Sequence, residues 1–270
     1  RCNLSCAFCP KTTRKGHQLS LEEFHSLTDK LVGEIKFLYF HLMGEPFLHP
    51  LLPQFITLAR QKGFIPILTT NGTLLADAQS VIDAKPHKIQ ISLQAHEGNT
   101  KENPETYIRQ VMNFAKEAAK QGIIIVLRLW NEGGEHNSMN QELIHLMAQH
   151  ITTPWTERPD GWKLNELIYL ETDTTFEWPD AARTPYEQNE AFCHALRNQI
   201  GVLVDGTVVP CCLDSQGTIN LGNLHQQTLT EILHSPRAQR LYQAFTHHKT
   251  SEKLCKTCGY ALITKRFRKS

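Results

Sequence analysis

The chain has 270 residues, a length for about two average domains, and its 40% hydrophobic and 20% charged residues are ordinary for a folded globular protein. Disordered, collagen-like and membrane-spanning readings are excluded by these numbers. A net charge of +1, from 28 Lys and Arg against 27 Asp and Glu, lacks the basic footprint of a dedicated nucleic-acid binder, so direct nucleic-acid binding is not expected.

From Ser20 to Leu170 helix-period segments alternate with short apolar runs, the pattern of successive βα units on a parallel sheet. Ser20-Leu21-Glu22-Glu23 is a capping box, and Phe24, Leu27 and Leu31 give the helix behind it one apolar face, closed by Gly33. Phe37 to Leu42 reads as a buried strand, and Leu52, Phe55, Ile56 and Ala59 mark the next helix, stopped by Gly63. Phe64 to Thr69 is a strand, Ala76 to Asp83 a short helix, and Lys88 to Leu93 a further strand. After Pro104 a long helix carries Ile108, Val111, Ala115 and Ala118 and ends at Gly122. Ile123 to Leu129 is the strongest strand, followed by a helix from Ser138 to His150 and a strand at Leu167 to Leu170. About six βα units of this kind predict an α/β fold, a partial (βα)6 TIM-like barrel over residues 1–171. Residues 151–192, with Pro154, Pro159, Pro179 and Pro185 among Trp155, Trp162 and Trp178, read as a long connection with functional loops, the boundary linker being 172–192. A small second domain over 193–270 opens with a hairpin, Ile200 to Val204 and Val208 to Leu213 around Asp205-Gly206, then two short helices near Thr230 to His234 and Pro236 to Thr246.

Eight cysteines stand at positions 2, 6, 9, 193, 211, 212, 255 and 258, two terminal groups with no thiol between Cys9 and Cys193. Disulfide frameworks serve small secreted domains with inadequate cores, and this chain is long enough to bury a large one. Clustered short spacings in a chain of this size indicate metal or redox chemistry and a cytoplasmic location. The chain starts Arg1-Cys2 without an initiator Met, which leaves a removed upstream signal open.

Cys2-x3-Cys6-x2-Cys9 puts three thiols in one short loop, with Phe8 before the last and Pro10 after it. Three ligands on a four-iron cluster leave one iron open to another ligand. The bland readings are a structural zinc site, which wants four ligands, or three unrelated core cysteines. This triad resembles that of the radical S-adenosylmethionine (radical SAM) superfamily, in which it follows the first strand of a partial (βα)6 barrel. That resemblance implies a [4Fe–4S] cluster that donates an electron to S-adenosylmethionine (AdoMet), a 5′-deoxyadenosyl radical, and hydrogen abstraction from a substrate in the barrel mouth, with no protein residue needed as base or nucleophile. It also implies that Phe8, Gly44 and Glu45 of Met43-Gly44-Glu45-Pro46, Asn71 of Thr69-Thr70-Asn71-Gly72, Ser92 and Arg128 bind AdoMet, Glu45 at its amino group, Ser92 at its ribose and Arg128 at its carboxylate. Met43 stands where the family often has a glycine, so close backbone approach rests on Gly44 alone. Strand carboxyl ends face the mouth of such barrels, and an inward Arg128 among Ile and Val needs an anionic partner. The alternatives are a backbone-bonded strand serine for Ser92 and a solvated loop acid for Glu45.

Cys193, twelve residues, Gly206, four residues and Cys211 resemble the opening of a SPASM or twitch-type auxiliary-cluster domain, continued by Leu221-Gly222-Asn223-Leu224 and Cys255-x2-Cys258. The resemblance implies one auxiliary [4Fe–4S] cluster on Cys193, Cys211, Cys255 and Cys258, with Cys212 spare or alternative to Cys211; zinc is the competing occupant. Four thiolates would saturate that cluster, making it an electron relay or a structural staple.

His41 on the second strand, Asn131 and Glu132 after Arg128, and Glu171 at the end of the last strand are candidates to meet substrate. A satisfied core histidine is the alternative for His41. The tail Lys265-Arg266-Phe267-Arg268-Lys269 reads as a solvated charge run, ahead of an RNA contact. No leader-peptide recognition segment is visible, which favours a small-molecule substrate, with flavodoxin or ferredoxin as reductant and no membrane partner. The single auxiliary cluster and the stretch Ile91 to Asn99 resemble queuine lyases, which cleave queuine to 7-aminomethyl-7-deazaguanine (preQ1) in queuosine salvage; Glu171 or Glu132 would then pair with the guanine-like edge. The rivals are a SPASM-type peptide-modifying maturase and, in another class, a non-catalytic zinc-binding interaction module.

Overall fold

The computed structural model describes residues 1–96, 102–135, 137–186 and 193–261. The end of the Ile91 to Asn99 stretch and the Lys265 to Lys269 tail lie outside the described residues. The chain forms two compact units, Arg1–Phe8 with Ile35–Thr175, and Cys9–Glu34 with the chain from Phe176 onward. Helix α1 (Leu21–Asp29), expected in the barrel, therefore falls in the second unit. Both halves of its capping box are made: the Glu23 N–H donates to Ser20 Oγ at 3.1 Å and the Ser20 N–H to Glu23 Oε2 at 2.7 Å.

In the first unit β1 (Phe37–Phe40) is followed by α2 (Leu52–Gln61), β2 (Ile65–Thr70), α3 (Gln79–Asp83), β3 (Lys88–Ser92), α4 (Pro104–Lys120), β4 (Ile124–Glu132) and α5 (Asn140–Ala148). The hairpin β5 (Thr156–Arg158) and β6 (Gly161–Lys163) then leads to β7 (Ile168–Thr174). The sheet order is β1-β2-β3-β4-β7-β6-β5, parallel through β7 and antiparallel at the hairpin. Five parallel strands thus stand where about six βα units are expected, because the α1 segment has no strand of this sheet ahead of it among the described residues. Two expectations change. The run from Phe37 is an edge strand of four residues, with Phe37 47% and Tyr39 50% exposed, since among the described residues only β2 pairs with it. The connection after residue 151 holds two short strands that widen the sheet, where loops alone are expected.

Alternation along the strands sorts side chains to two faces. Leu68, Ile89, Ile91, Leu127, Leu129 and Ile168 pack against Ile56 of α2, Ile108, Val111 and Met112 of α4 and Leu143 of α5 in one apolar cluster. Full burial of such a side chain contributes roughly 1.5–3 kcal/mol. Helix α4 begins where Asn103 Oδ1 accepts the Glu105 N–H at 2.8 Å with Pro104 in the first turn, and its buried stripe of Ile108, Val111, Ala115 and Ala118 lies as the periodicity predicts.

The second unit carries an antiparallel sheet of β8 (Gly201–Val202), β9 (Thr207–Val209) and β10 (Gly222–Asn223) in the order β10-β9-β8, with strands shorter than expected. Gly206 turns the hairpin at φ +80°, where an added Cβ would stand 2.6 Å from His225. Helices α6 (Leu229–Leu233) and α7 (Pro236–Thr246) follow, and Arg237 of α7 forms a bidentate pair with Glu252 at 2.9 and 3.0 Å. The segment after Cys9 bonds to the loop beyond β9: Thr12 and Thr13 donate to Gln216 Oε1 at 3.2 Å each, and Arg14 pairs with Asp205.

Candidate active site

All eight cysteines are unbridged. In the first unit Cys2 is exposed, and its Sγ accepts the Leu4 N–H at 3.4 Å and the Asn71 Nδ2–H at 3.8 Å. Sulfurs that accept N–H bonds in this way suit iron–sulfur ligation, in which such bonds tune the cluster. Cys6 and Phe8 are half-buried in this unit, and Cys9 is half-buried in the second.

Glu45 is buried, and both its carboxylate oxygens already serve the protein. Oε1 accepts the Phe47 N–H at 3.0 Å and Oε2 the Asn71 N–H at 2.7 Å. Burial pushes its pKa up, opposed by those bonds and one from Thr70. This carboxylate joins the turn after β1 to the end of β2, and its remaining lone pairs leave room for the ammonium group expected there. Gly44 has φ +105°, and a Cβ there would lie 2.5 Å from the Arg1 carbonyl oxygen, which accepts the Glu45 N–H at 2.8 Å. Gly44 thus lets the backbone pack closely against the segment that opens the cysteine loop.

The face of the sheet opposite the helices is polar. His41 Nδ1 and Thr69 Oγ1 are 3.2 Å apart, and Thr69 donates to Gln90 Oε1 at 3.0 Å. Burial, helped by the Arg128 charge, lowers the His41 pKa to about 4, so this histidine is neutral at pH 7. Ser92, Arg128 and Glu171 are register partners across β3, β4 and β7 and form a row at the carboxyl end of β3 and midway along β4 and β7. The Ser92 side chain has no hydrogen-bond partner among the described residues. Arg128 Nε lies 3.7 Å from Glu171 Oε2, a charge contact too long for a hydrogen bond, and its guanidinium stacks 4.1 Å from the Trp130 ring centroid. Burial raises the Glu171 pKa despite the opposing Arg128 charge. Lower on this face a depression of about 180 Å³ is lined by Lys88, Val126, Arg158, Asp160, Tyr169 and Glu171.

Asn131 and Glu132 are not part of this row. The Asn131 amide is buried and exchanges two hydrogen bonds with Asn140 of α5 at 3.0 and 2.9 Å, and Glu132 is exposed beside a register shift in β4. Thr69, Gln90 and Trp130 were not anticipated. The signal was available in strand alternation, since Gln90 is two residues before Ser92 and Trp130 two after Arg128.

In the second unit Cys193, Cys211, Cys255 and Cys258 are each half-buried. Burial pushes Cys193 up to about 11 and raises Cys211, Cys255 and Cys258, and charges on neighbouring cysteines add to the rise at Cys193, Cys211 and Cys255. Cys212 is among the neighbours that act on Cys193 and Cys211. Cysteine sulfurs near enough to raise one another's pKa are the donor type that an iron–sulfur or zinc core takes, and such a core would deprotonate them, although as folded here they do not converge on one point. Among the described residues no three His, Cys, Asp or Glu converge as ligands of one ion, and no helix is long and apolar enough to cross a membrane.

Residues 1–147 match the family model of the radical SAM superfamily, and residues 193–259 match the SPASM iron–sulfur cluster-binding domain. Two curated relatives match short stretches. The tungsten-containing aldehyde ferredoxin oxidoreductase cofactor-modifying protein of Pyrococcus furiosus is 33% identical over 28% of this chain and 23% of its own length. Fe-coproporphyrin III synthase of Methanosarcina barkeri is 36% identical over 28% of this chain and 20% of its own length. The matched stretch is thus about a quarter of each relative or less. Among solved structures, BtrN in complex with AdoMet and 2-DOIA has TM-score 0.60 at 19% identity, over 96% of this chain and 88% of its own. The enzyme anSMEcpe with AdoMet and the Cp18Cys peptide has TM-score 0.63 at 16% identity, over 96% and 85%. SuiB of Streptococcus suis has TM-score 0.58 at 14% identity, over 96% and 68%. At these identities the likeness concerns the fold.

Proposed function

Because the chain belongs to the radical SAM superfamily, we propose that it cleaves AdoMet reductively and removes a hydrogen atom from an organic substrate at the polar face of its parallel sheet. It is a radical SAM enzyme with a SPASM domain, and those domains imply a [4Fe–4S] cluster, AdoMet, auxiliary iron–sulfur chemistry, a reductant and a small-molecule or peptide substrate. In our reading Cys2, Cys6 and Cys9 ligate the catalytic cluster, which when bound supplies one electron to the AdoMet sulfonium. The chain's residues bind and orient. Arg128, braced on Trp130, takes the AdoMet carboxylate; Ser92 offers its hydroxyl to the ribose; Gly44 lets the backbone approach; Phe8 shields the loop. The observation that carries this reading is the row Ser92, Arg128, Glu171 in register across three parallel strands, level with the carboxyl end of β3 and on the polar face of the sheet. Neutral His41 and the Thr69–Gln90 pair beside it supply substrate contacts that do not need a charge. Cys193, Cys211, Cys255 and Cys258 hold one auxiliary [4Fe–4S] cluster with all ligand positions filled, as an electron relay or staple.

The finer reading is a lyase that converts queuine to its 7-aminomethyl-7-deazaguanine precursor, supported by the sequence from Ile91 onward. Of the carboxylates it needs, Glu171 is shared with Arg128 and Glu132 is solvated, so Glu171 is the candidate that remains near the row. The test is anaerobic reconstitution with iron and sulfide, then dithionite and AdoMet with and without queuine. Formation of 5′-deoxyadenosine is expected, and its absence would overturn the radical reading. Deoxyadenosine without the aminomethyl product would overturn queuine alone and transfer the search to peptides.

A further inference from the structure

We propose that the Asn71 carboxamide donates a hydrogen bond to the sulfur of Cys2 and thereby raises the reduction potential of the catalytic cluster, a role that rests on Cys2 being a cluster ligand. Its Nδ2 carries two protons. One is directed to Asn3 Oδ1 at 2.9 Å and the other to Cys2 Sγ at 3.8 Å. Which end of the amide is nitrogen is fixed by its neighbours. Oδ1 accepts the Thr73 backbone N–H at 3.0 Å, and an N–H only donates. The Thr73 hydroxyl donates to the same oxygen at 2.7 Å while accepting from Asn3 Nδ2 at 2.8 Å, so the hydroxyl proton points one way around the ring.

The main chain of Asn71 is held as firmly. Its N–H donates to buried Glu45 at 2.7 Å, and its carbonyl accepts from the fully buried Tyr107 hydroxyl at 2.8 Å. An amide braced at this many points is preorganised toward the sulfur before any ligand arrives, and its donors are already committed, so AdoMet has little to gain from it. Reduction adds negative charge to the sulfurs, and an N–H donor stabilises that charge. Leu4 also donates to Cys2, but from the backbone, which leaves Asn71 as the donor a substitution can remove.

The experiment is a potentiometric titration followed by EPR on the reconstituted full chain without AdoMet. The catalytic signal is assigned by its loss in the Cys2→Ser/Cys6→Ser/Cys9→Ser variant. Asn71→Asp keeps the Oδ1 acceptor and replaces the donor by oxygen. It should lower the reduced-to-oxidised ratio about tenfold at fixed potential, about 59 mV for one electron. Asn3→Ala, which breaks the ring but spares the sulfur donor, should leave the midpoint near wild type. An unchanged midpoint in Asn71→Asp with full iron, or an equal shift in Asn3→Ala, would overturn the proposal. If Asn71→Asp does not retain iron, Thr73→Val, which loosens the amide, must shift the midpoint the same way by a smaller amount, and no shift overturns it. A wild-type chain that holds no AdoMet-responsive cluster would overturn the reading of Cys2 itself, and the role of Asn71 with it.

Discussion

Glu171→Gln separates two roles for Arg128. At 3.7 Å and an effective dielectric of about 20, the Arg128–Glu171 attraction is roughly 4 kcal/mol before desolvation. The side chains are 13% and 26% exposed, so both charges lose much of their hydration, and the raised Glu171 pKa means that burial outweighs the attraction. The sign follows. A carboxyl whose folded pKa lies above its unfolded value contributes stability at low pH that is lost as pH rises through the folded pKa. At neutral pH ionised Glu171 is thus a net cost that also competes for Arg128. Glutamine removes both effects, so Glu171→Gln should change folding stability by no more than about 1 kcal/mol and tighten AdoMet binding about threefold to tenfold, up to about 1.4 kcal/mol. Anaerobic calorimetry of the reconstituted enzyme reads both quantities across pH. Wild-type affinity should approach that of the variant as pH falls toward the raised pKa, while the variant lacks this dependence. Weaker AdoMet binding in the variant, with an unchanged pH profile, would refute Arg128 as the carboxylate partner and make the pair structural.

His41, with a folded pKa of about 4, refuses the proton that the unfolded chain accepts near 6.5, so stability should fall as pH drops from 6.5 to 4, by about 1.4 kcal/mol per unit. His41→Gln should flatten that slope in urea melts at pH 5 and 7.5. Gly44→Ala adds a Cβ 2.5 Å from the Arg1 carbonyl oxygen at φ +105°, and a strain of about 1–3 kcal/mol should displace the cysteine loop; iron analysis should lose the catalytic share and keep the auxiliary one. Cys211→Ser should release the auxiliary iron, whereas Cys212→Ser should retain it; the reverse pattern in iron and sulfide counts would exchange the two thiols.

Local signals carried far along this chain. The α1 capping box, the α4 stripe and the Gly206 turn stand where residue types and periodicity predict, because each depends on neighbours within a few positions. The misread strand at Phe37 shows where that ends. An apolar run reports that a strand is favourable, but whether a second strand flanks it depends on pairing across the sheet, and among the described residues only β2 does. The hairpin β5–β6 escaped for the opposite reason, since the three residues of β5 are all exposed and leave no apolar pattern to read. The grouping of Cys9–Glu34 with the second unit rests on bonds such as Thr12 to Gln216 that span about two hundred positions.

At the site the difference between residues turns on hydrogen-bond capacity. Residue type and strand position selected Glu45, Asn71, Ser92, Arg128 and Asn131 alike. In the fold Glu45 accepts two backbone N–H groups, Asn131 is closed by Asn140, and Asn71 is committed on every polar atom, whereas the Ser92 hydroxyl has no partner among the described residues. A polar group filled by the protein braces the loop it belongs to; one left partly unfilled at a strand end is where an incoming ligand gains most, because its desolvation there is compensated by new bonds. On that criterion the Ser92 hydroxyl is the group an incoming ligand would gain most from, while Glu45 and Asn71, whatever they meet when a ligand binds, already brace the segment that opens the cysteine loop.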